Sequence, residues 1–285
     1  MAGIIRAETA GFCMGVDLAL KKLDRVVGKG EKKVATLGPI IHNPQVLAYY
    51  SQKGVLQVDK VEEVPGDCCV VIRAHGIKKE VEQELLDNGL EIVDATCPKV
   101  KKAQLLIREQ TEKGKKLLLY GEKDHPEVAG LLSYAANDAQ VFQDLQELKQ
   151  KLVQSDQEEY FMASQTTQNR VEFNECVQYA RSIVQDLPVF DTICDTTRYR
   201  QNEVARLAEK VDIMVVVGGR NSGNTRRLVH VVNSMGKECV HVETAEELPL
   251  EKFRGCNLLG LTAGASTPKN IIDQVEQELS GLKQE

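Results

Sequence analysis

Three cysteines hold positions suited to joint chemistry. Cys13 lies in IIRAETAGFCMGVDLAL, Cys97 in LEIVDATCPKVKKAQLLI and Cys194 in LPVFDTICDTTRYRQNEVARL. Each follows a short apolar, β-branched run and precedes a stretch with helical periodicity. Each sulfur is therefore expected where a strand ends and a helix begins. Ligands of open α/β sheets bind at that end of the strands. The N–H groups and dipole of a helix start also favour an anion such as a thiolate. From these cysteines to the strand-end glycines Gly38, Gly121 and Gly218 the steps are 25, 24 and 24 residues. Such constancy marks an internal repeat. The expectation is that the three thiolates meet and hold one ligand.

The donor set narrows that ligand. Structural zinc takes four ligands, usually in close Cys pairs, and ferredoxin-type clusters use close Cys runs. Neither spacing is present. The vicinal Cys68 and Cys69 point to opposite faces of a strand and cannot chelate together. Three distant, equivalent thiolates suit a [4Fe-4S] cubane with one iron left open as a Lewis-acidic site. The remaining cysteines, Cys68, Cys69, Cys176, Cys239 and Cys256, lie in or beside elements and are expected to be structural. His230, within a helix, and His241, on a strand with Cys239, are expected to be structural too.

The loops at the strand ends carry a second set: His42 with Asn43, His75, His125 with Glu127, Thr166 with Thr167, Ser222 with Asn224, and Ser266. These are neutral or switchable donors beside helix starts, the usual equipment for phosphate. Taken singly, each has a plainer reading. Ser222, Thr166 and Ser266 can serve as helix N-caps, and Glu127 as a partner of a helix dipole. Together they point to a small anion, such as a diphosphate.

The elements that must position these groups repeat in order. GVDLALKKLDRVV, NPQVLAYYSQKG and KKEVEQELLDNGL read as helices around strands KKVATLGPII and CCVVIRAHG. The second pass has helix VKKAQLLIREQTEKG, strand KKLLLYG, helix VAGLLSYA, strand EEYFMASQTT and helix RVEFNECVQYARSIVQ. The third has helix QNEVARLAEK, strand DIMVVVGG, helix TRRLVHVVNSMG, strands ECVHVE and CNLLGLTAGAS, and a last helix opened by Pro268. The second strand of each pass is expected to end at His75, Thr166 and Ser266. The fold class is α/β: three small units, 14–96, 97–192 and 193–285, around a pseudo-threefold axis with a central cleft. The N-terminal strand within 1–13 is expected to pack on the third unit.

Composition limits the alternatives. The chain has 285 residues and a net charge of −6, which gives nucleic-acid binding no electrostatic support. Lys99, Lys101 and Lys102 read as a solvated helix face. No apolar run reaches the ~20 residues of a membrane span, and no signal peptide is expected in MAGIIRAETAGF, which lacks a charged stretch followed by a long apolar one. A cytoplasmic chain with reduced cysteines is expected. Two other classes remain open on these residues alone: a non-catalytic iron–sulfur electron carrier or redox sensor with the same thiolates, and a metal-free phosphate-sugar binding or transferase fold.

The motifs GFCMGVDLAL, IIHNPQV, RAHG, VDATCPKV, HPEVAG, SQTT, VVVGGRNSGNTRRL and LTAGAS, in this order across residues 11–266, resemble those of the 4-hydroxy-3-methylbut-2-enyl diphosphate reductases. The resemblance implies an iron–sulfur oxidoreductase of the non-mevalonate isoprenoid pathway. It implies a [4Fe-4S] cluster on Cys13, Cys97 and Cys194, and substrate diphosphate held by His42, His75, His125, Ser222, Asn224 and Ser266. Thr166 would orient the substrate hydroxyl with Thr197 close by, and Glu127 would supply protons. Electrons would come from a ferredoxin or flavodoxin. One departure is Gly223, where many members carry a second serine; its N–H would have to donate instead.

Overall fold

The structure, a computed structural model, describes residues 3–152 and 159–281. Part of the strand expected from 158, and the end of the third unit at 282–285, lie outside the described residues. By internal contacts the chain divides into two compact units. One comprises Met1–Val16, His42–Ala48 and Asp195–Glu285; the other comprises Asp17–Ile41 and Tyr49–Cys194.

The first unit carries strands β1 (Gly3–Arg6), β9 (Ile213–Val217), β10 (Glu238–Val242) and β11 (Leu258–Ala263). Its helices include α8 (Asp195–Ala208), α9 (Gly223–Ser234) and α10 (Lys269–Ser280). The strands form one parallel sheet ordered β1-β11-β9-β10. Strand β9 shows why this sheet is apolar throughout. Ile213, Val215 and Val217 enter a core with α10 residues Ile272 and Val275, while Met214 and Val216 enter another with Val204, Leu228 and Val232. A parallel sheet covered by helices on both faces reads as a continuous apolar run.

The second unit carries two further parallel sheets. One has the order β3-β2-β4-β5, built from β2 (Lys33–Leu37), β3 (Leu56–Val58), β4 (Cys68–Ile72) and β5 (Glu91–Asp94). The other has the order β7-β6-β8, built from β6 (Lys116–Tyr120), β7 (Ala139–Phe142) and β8 (Tyr160–Ser164). Here too the faces alternate. Leu118 and Tyr120 pack with Phe173 and Cys176 of α7 (Arg170–Ile183), whereas Leu117 and Leu119 pack with Ile107 of α4 (Pro98–Glu112) and Val128 of α5 (Pro126–Leu132).

The repeat is visible in single hydrogen bonds. The N–H groups of Gly38, Gly121 and Gly218 donate to the last carbonyls of the flanking edge strands, Val58, Phe142 and Val242, at 2.7, 2.9 and 2.9 Å. The N–H groups of Cys13, Cys97 and Cys194 donate to Ala265, Ala74 and Thr166 at 3.1, 2.9 and 2.9 Å. Each acceptor stands two residues beyond its strand. The corresponding positions are therefore Ala74, Thr166 and Ala265. Thr166 thus sits one residue before the place that His75 and Ser266 hold in the other repeats.

Two other expectations change. The edge strands β3 and β7, and the helix α6 (Leu145–Lys151), were not foreseen between the helix and the second strand of the first two passes. The run LPVFDTIC forms no strand, only a single parallel bridge between Met162 and Val189. Beyond Phe190 the Thr192 hydroxyl replaces the backbone ladder, receiving Ser164 N–H at 2.8 Å and meeting Ser164 C=O at 2.6 Å.

Candidate functional site

Each candidate cysteine immediately precedes a helix: Cys13 before α1 (Met14–Lys29), Cys97 as N-cap of α4, and Cys194 before α8. Pro98 stands in the first turn of α4, where its missing N–H costs nothing. Cys13 Sγ receives Val16 N–H at 3.5 Å, a cap made by sulfur. All three are outside any disulfide and partly exposed. Burial raises the pKa of Cys68, Cys69 and Cys256, and pushes Cys176 and Cys239 up to about 12. Burial thus disfavours the thiolate that a metal needs at these five.

The second unit brings together Cys97, Cys194, His75, His125, Glu127 and Thr166. Glu127 belongs to the first turn of α5 and is 1% exposed. Its Oε1 receives Thr166 N–H at 2.6 Å and its Oε2 receives the Thr166 hydroxyl at 3.0 Å. Thr166 C=O in turn takes the Cys194 N–H. His125 caps α5 by accepting Glu127 N–H on Nδ1 at 3.1 Å. The His75 and His125 rings meet edge to face, 5.6 Å between centroids. Burial raises the pKa of Glu127 to about 7, against the two Thr166 hydrogen bonds that favour the carboxylate. A carboxyl balanced near neutrality can give and take protons.

A residue outside the expected set braces this loop. Gln165, fully buried at the end of β8, receives Glu122 N–H at 3.1 Å and Gln168 Nε2–H at 2.9 Å, and donates to Thr167 Oγ1 at 3.2 Å. It joins the turn after β6 to the turn carrying Thr166. A polar side chain directly continuing an apolar strand was the available signal.

The first unit brings together Cys13, His42, Ser222, Gly223, Asn224, Ser266 and, on α8, the buried Thr197. Asn43 caps α2 (Pro44–Gln52) through Val46 N–H at 3.0 Å, and Ser222 caps α9 through Thr225 N–H at 3.3 Å. Ser266 Oγ donates to His42 C=O at 3.1 Å and lies 3.5 Å from Ser222 Oγ. Gly219 admits this approach: a Cβ there would stand 2.6 Å from the His42 carbonyl oxygen. Gly223 opens α9, where helical N–H groups have no intrahelical acceptor. Two buried amide donors, Asn43 Nδ2 and Asn224 Nδ2, lack hydrogen-bond partners among the described residues. Buried donors left unmet are costly, and an anionic group would satisfy them.

Among the described residues no group of three or more His, Cys, Asp or Glu side chains is placed to hold a metal ion. In donor chemistry the three cysteine turns still fit a thiolate-held iron–sulfur cluster: partly exposed sulfurs outside any disulfide, at helix starts. His241 and His230 take no part in this set; His241 Nε2 bonds Gly218 C=O at 2.8 Å. Among the described residues no helix is long and apolar enough to cross a membrane.

Comparison with known proteins places this arrangement. The LytB protein family model matches residues 4–280. A 4-hydroxy-3-methylbut-2-enyl diphosphate reductase of Oleidesulfovibrio alaskensis is 55% identical over 97% of this chain and 99% of its own. One of Aquifex aeolicus is 43% identical over 99% of this chain and 97% of its own. A solved (E)-4-hydroxy-3-methyl-but-2-enyl diphosphate reductase, the terminal enzyme of the non-mevalonate pathway, is 41% identical with a TM-score of 0.69, covering 99% of this chain and 100% of that one. The solved reductase of Plasmodium falciparum shares the fold, with a TM-score of 0.94 at 23% identity over 98% of this chain and 88% of that one. The chain belongs to the LytB family, the family of the 4-hydroxy-3-methylbut-2-enyl diphosphate reductases.

Proposed function

We propose that this chain catalyses the reduction of 4-hydroxy-3-methylbut-2-enyl diphosphate. Two electrons and two protons enter, the allylic hydroxyl leaves as water, and isopentenyl and dimethylallyl diphosphate form. The observation that carries this reading is the buried Glu127 carboxyl, hydrogen-bonded to both the N–H and the hydroxyl of Thr166. A reductive dehydroxylation needs a proton for the departing oxygen, and these two side chains can hold and relay one.

Cys13, Cys97 and Cys194 would hold the [4Fe-4S] cluster, leaving one iron open. When bound, that group supplies the reducing electrons and a Lewis-acidic metal. The protein's own residues do the rest. Thr166 orients the substrate hydroxyl, with Thr197 in the same role set. His42, His75, His125, Ser222, Asn224 and Ser266 bind the diphosphate, and the Gly223 N–H stands in for a serine hydroxyl. The division into units 14–96, 97–192 and 193–285, with the strand in 1–13 joined to the third, belongs to the same proposal. The common strand order of the three sheets supports it. The electron donor would be a ferredoxin or flavodoxin, and the site of action the cytoplasm.

The test is substrate-dependent oxidation of a reduced viologen by protein purified anaerobically. Oxidation with release of both products is expected. An iron-loaded protein that leaves the substrate unreduced would overturn the reading in favour of an electron carrier.

A further inference from the structure

Cys13 differs from its two counterparts in how it is delivered. Strand β1 ends at Arg6 and α1 starts at Met14, so the cysteine rides on a loop of its own. In that loop Gly11 adopts φ +115°, open only to glycine without strain.

Two side chains of α8, one turn apart, hold the loop. Arg200 is 2% exposed. It donates from Nη2 to Gly11 C=O at 2.6 Å and from Nη1 to Ala263 C=O at 3.1 Å. Ala263 ends β11, two residues before the carbonyl that takes Cys13 N–H and three before Ser266. Glu203 receives Glu8 N–H at 2.7 Å and Thr9 N–H at 3.0 Å, and the Thr9 hydroxyl also donates to it. One guanidinium thus ties the loop before Cys13 to the end of β11, and a carboxylate fixes the entry to that loop. A buried guanidinium is costly unless its donors are met, and here backbone carbonyls meet both terminal nitrogens.

We propose that Arg200, seconded by Glu203, is a positioning residue that sets the Cys13 turn and the Ser266 loop as one piece. It acts on a metal ligand and on a diphosphate-binding group through their backbones, and touches neither reactant. The inference rests on the proposed function for its meaning.

The sequence carried a hint. Thr197, Arg200 and Gln201 lie on the stripe of α8 that continues as Val204, Leu207 and Ala208, all buried. A cation on the apolar stripe of a helix needs a partner inside.

The test uses iron-loaded protein challenged with a chelator and N-ethylmaleimide together. Mass spectrometry then reads which cysteine is labelled first. In R200M, Cys13 should be labelled about tenfold faster than in the parent protein, the scale of one charged hydrogen bond. Cys97 and Cys194 should lag behind it. KM should rise more than kcat falls, through the Ser266 loop, and the electron paramagnetic resonance spectrum of the reduced protein should change. R200K should recover part of each effect, and E203Q should speed Cys13 labelling selectively but less. Equal acceleration of all three cysteines, or none, would overturn the proposal. If R200M does not fold, R200K and E203Q decide by the same pattern. A parent protein that binds no iron would instead sink the proposed function, a separate result.

Discussion

Glu127 concentrates the chemistry at the scale of one side chain. Its carboxyl has lost its water, and two hydrogen bonds from one threonine only partly replace it. Burial wins, so the acid form persists to about pH 7. Glu127→Gln should leave iron content unchanged and lower turnover by roughly 10²–10⁴, the usual share of a general acid; near-normal turnover would contradict its role. In the parent protein kcat should decline above about pH 7, as the acid form is lost. Stability should follow the same titration. A carboxyl whose pKa is raised on folding stabilises the fold fully below its ordinary 4.5, and that stability is lost as pH rises through about 7. Chemical denaturation at pH 5 and pH 8 should therefore show a smaller drop for Glu127→Gln than for the parent.

At the scale of elements, the site is made by turns that follow parallel strands. At Gly219 the neighbour is backbone, with the His42 carbonyl oxygen 2.6 Å from where a Cβ would go. Gly219→Ala should cost roughly 1–3 kcal/mol, as overpacking does, measured by denaturant unfolding, and should raise KM through displacement of His42 and Ser222. The central strands and long helices were legible in the sequence, because strands buried on both faces stay apolar without interruption, as CCVVI and IMVVV do. The edge strands β3 and β7 were not. LQV and AQVF are short and mostly unburied, and an edge strand needs little apolar content to be held by one neighbour. LPVFDTIC misled in the opposite sense: its composition suits a strand, but the Thr192 hydroxyl takes the partner's backbone groups. The one-residue offset of Thr166 was hidden for a related reason, since strand ends are fixed by hydrogen bonds and not by residue type.

At the scale of the whole chain, three parallel sheets that share a three-strand order (β3-β2-β4, β7-β6-β8 and β10-β9-β11) accompany three cysteines at matching backbone hydrogen bonds. The steps of 25, 24 and 24 residues in the sequence correspond to this repetition. The α8 stripe hints that Arg200 has a buried partner, but which one was not legible, because Gly11 is 189 and Ala263 63 residues away and both acceptors are backbone carbonyls. The central claim is that one cysteine from each repeat, and no other, holds the metal group. Cys13→Ser, Cys97→Ser and Cys194→Ser, with Cys176→Ser as control, are to be compared for iron and sulfide per chain after anaerobic purification. The expected result is about four irons and four sulfides in the parent and the control, as a cubane requires, with marked loss in each of the other three. Retention of the full iron content by any of those three, or its loss in the control, would contradict the account.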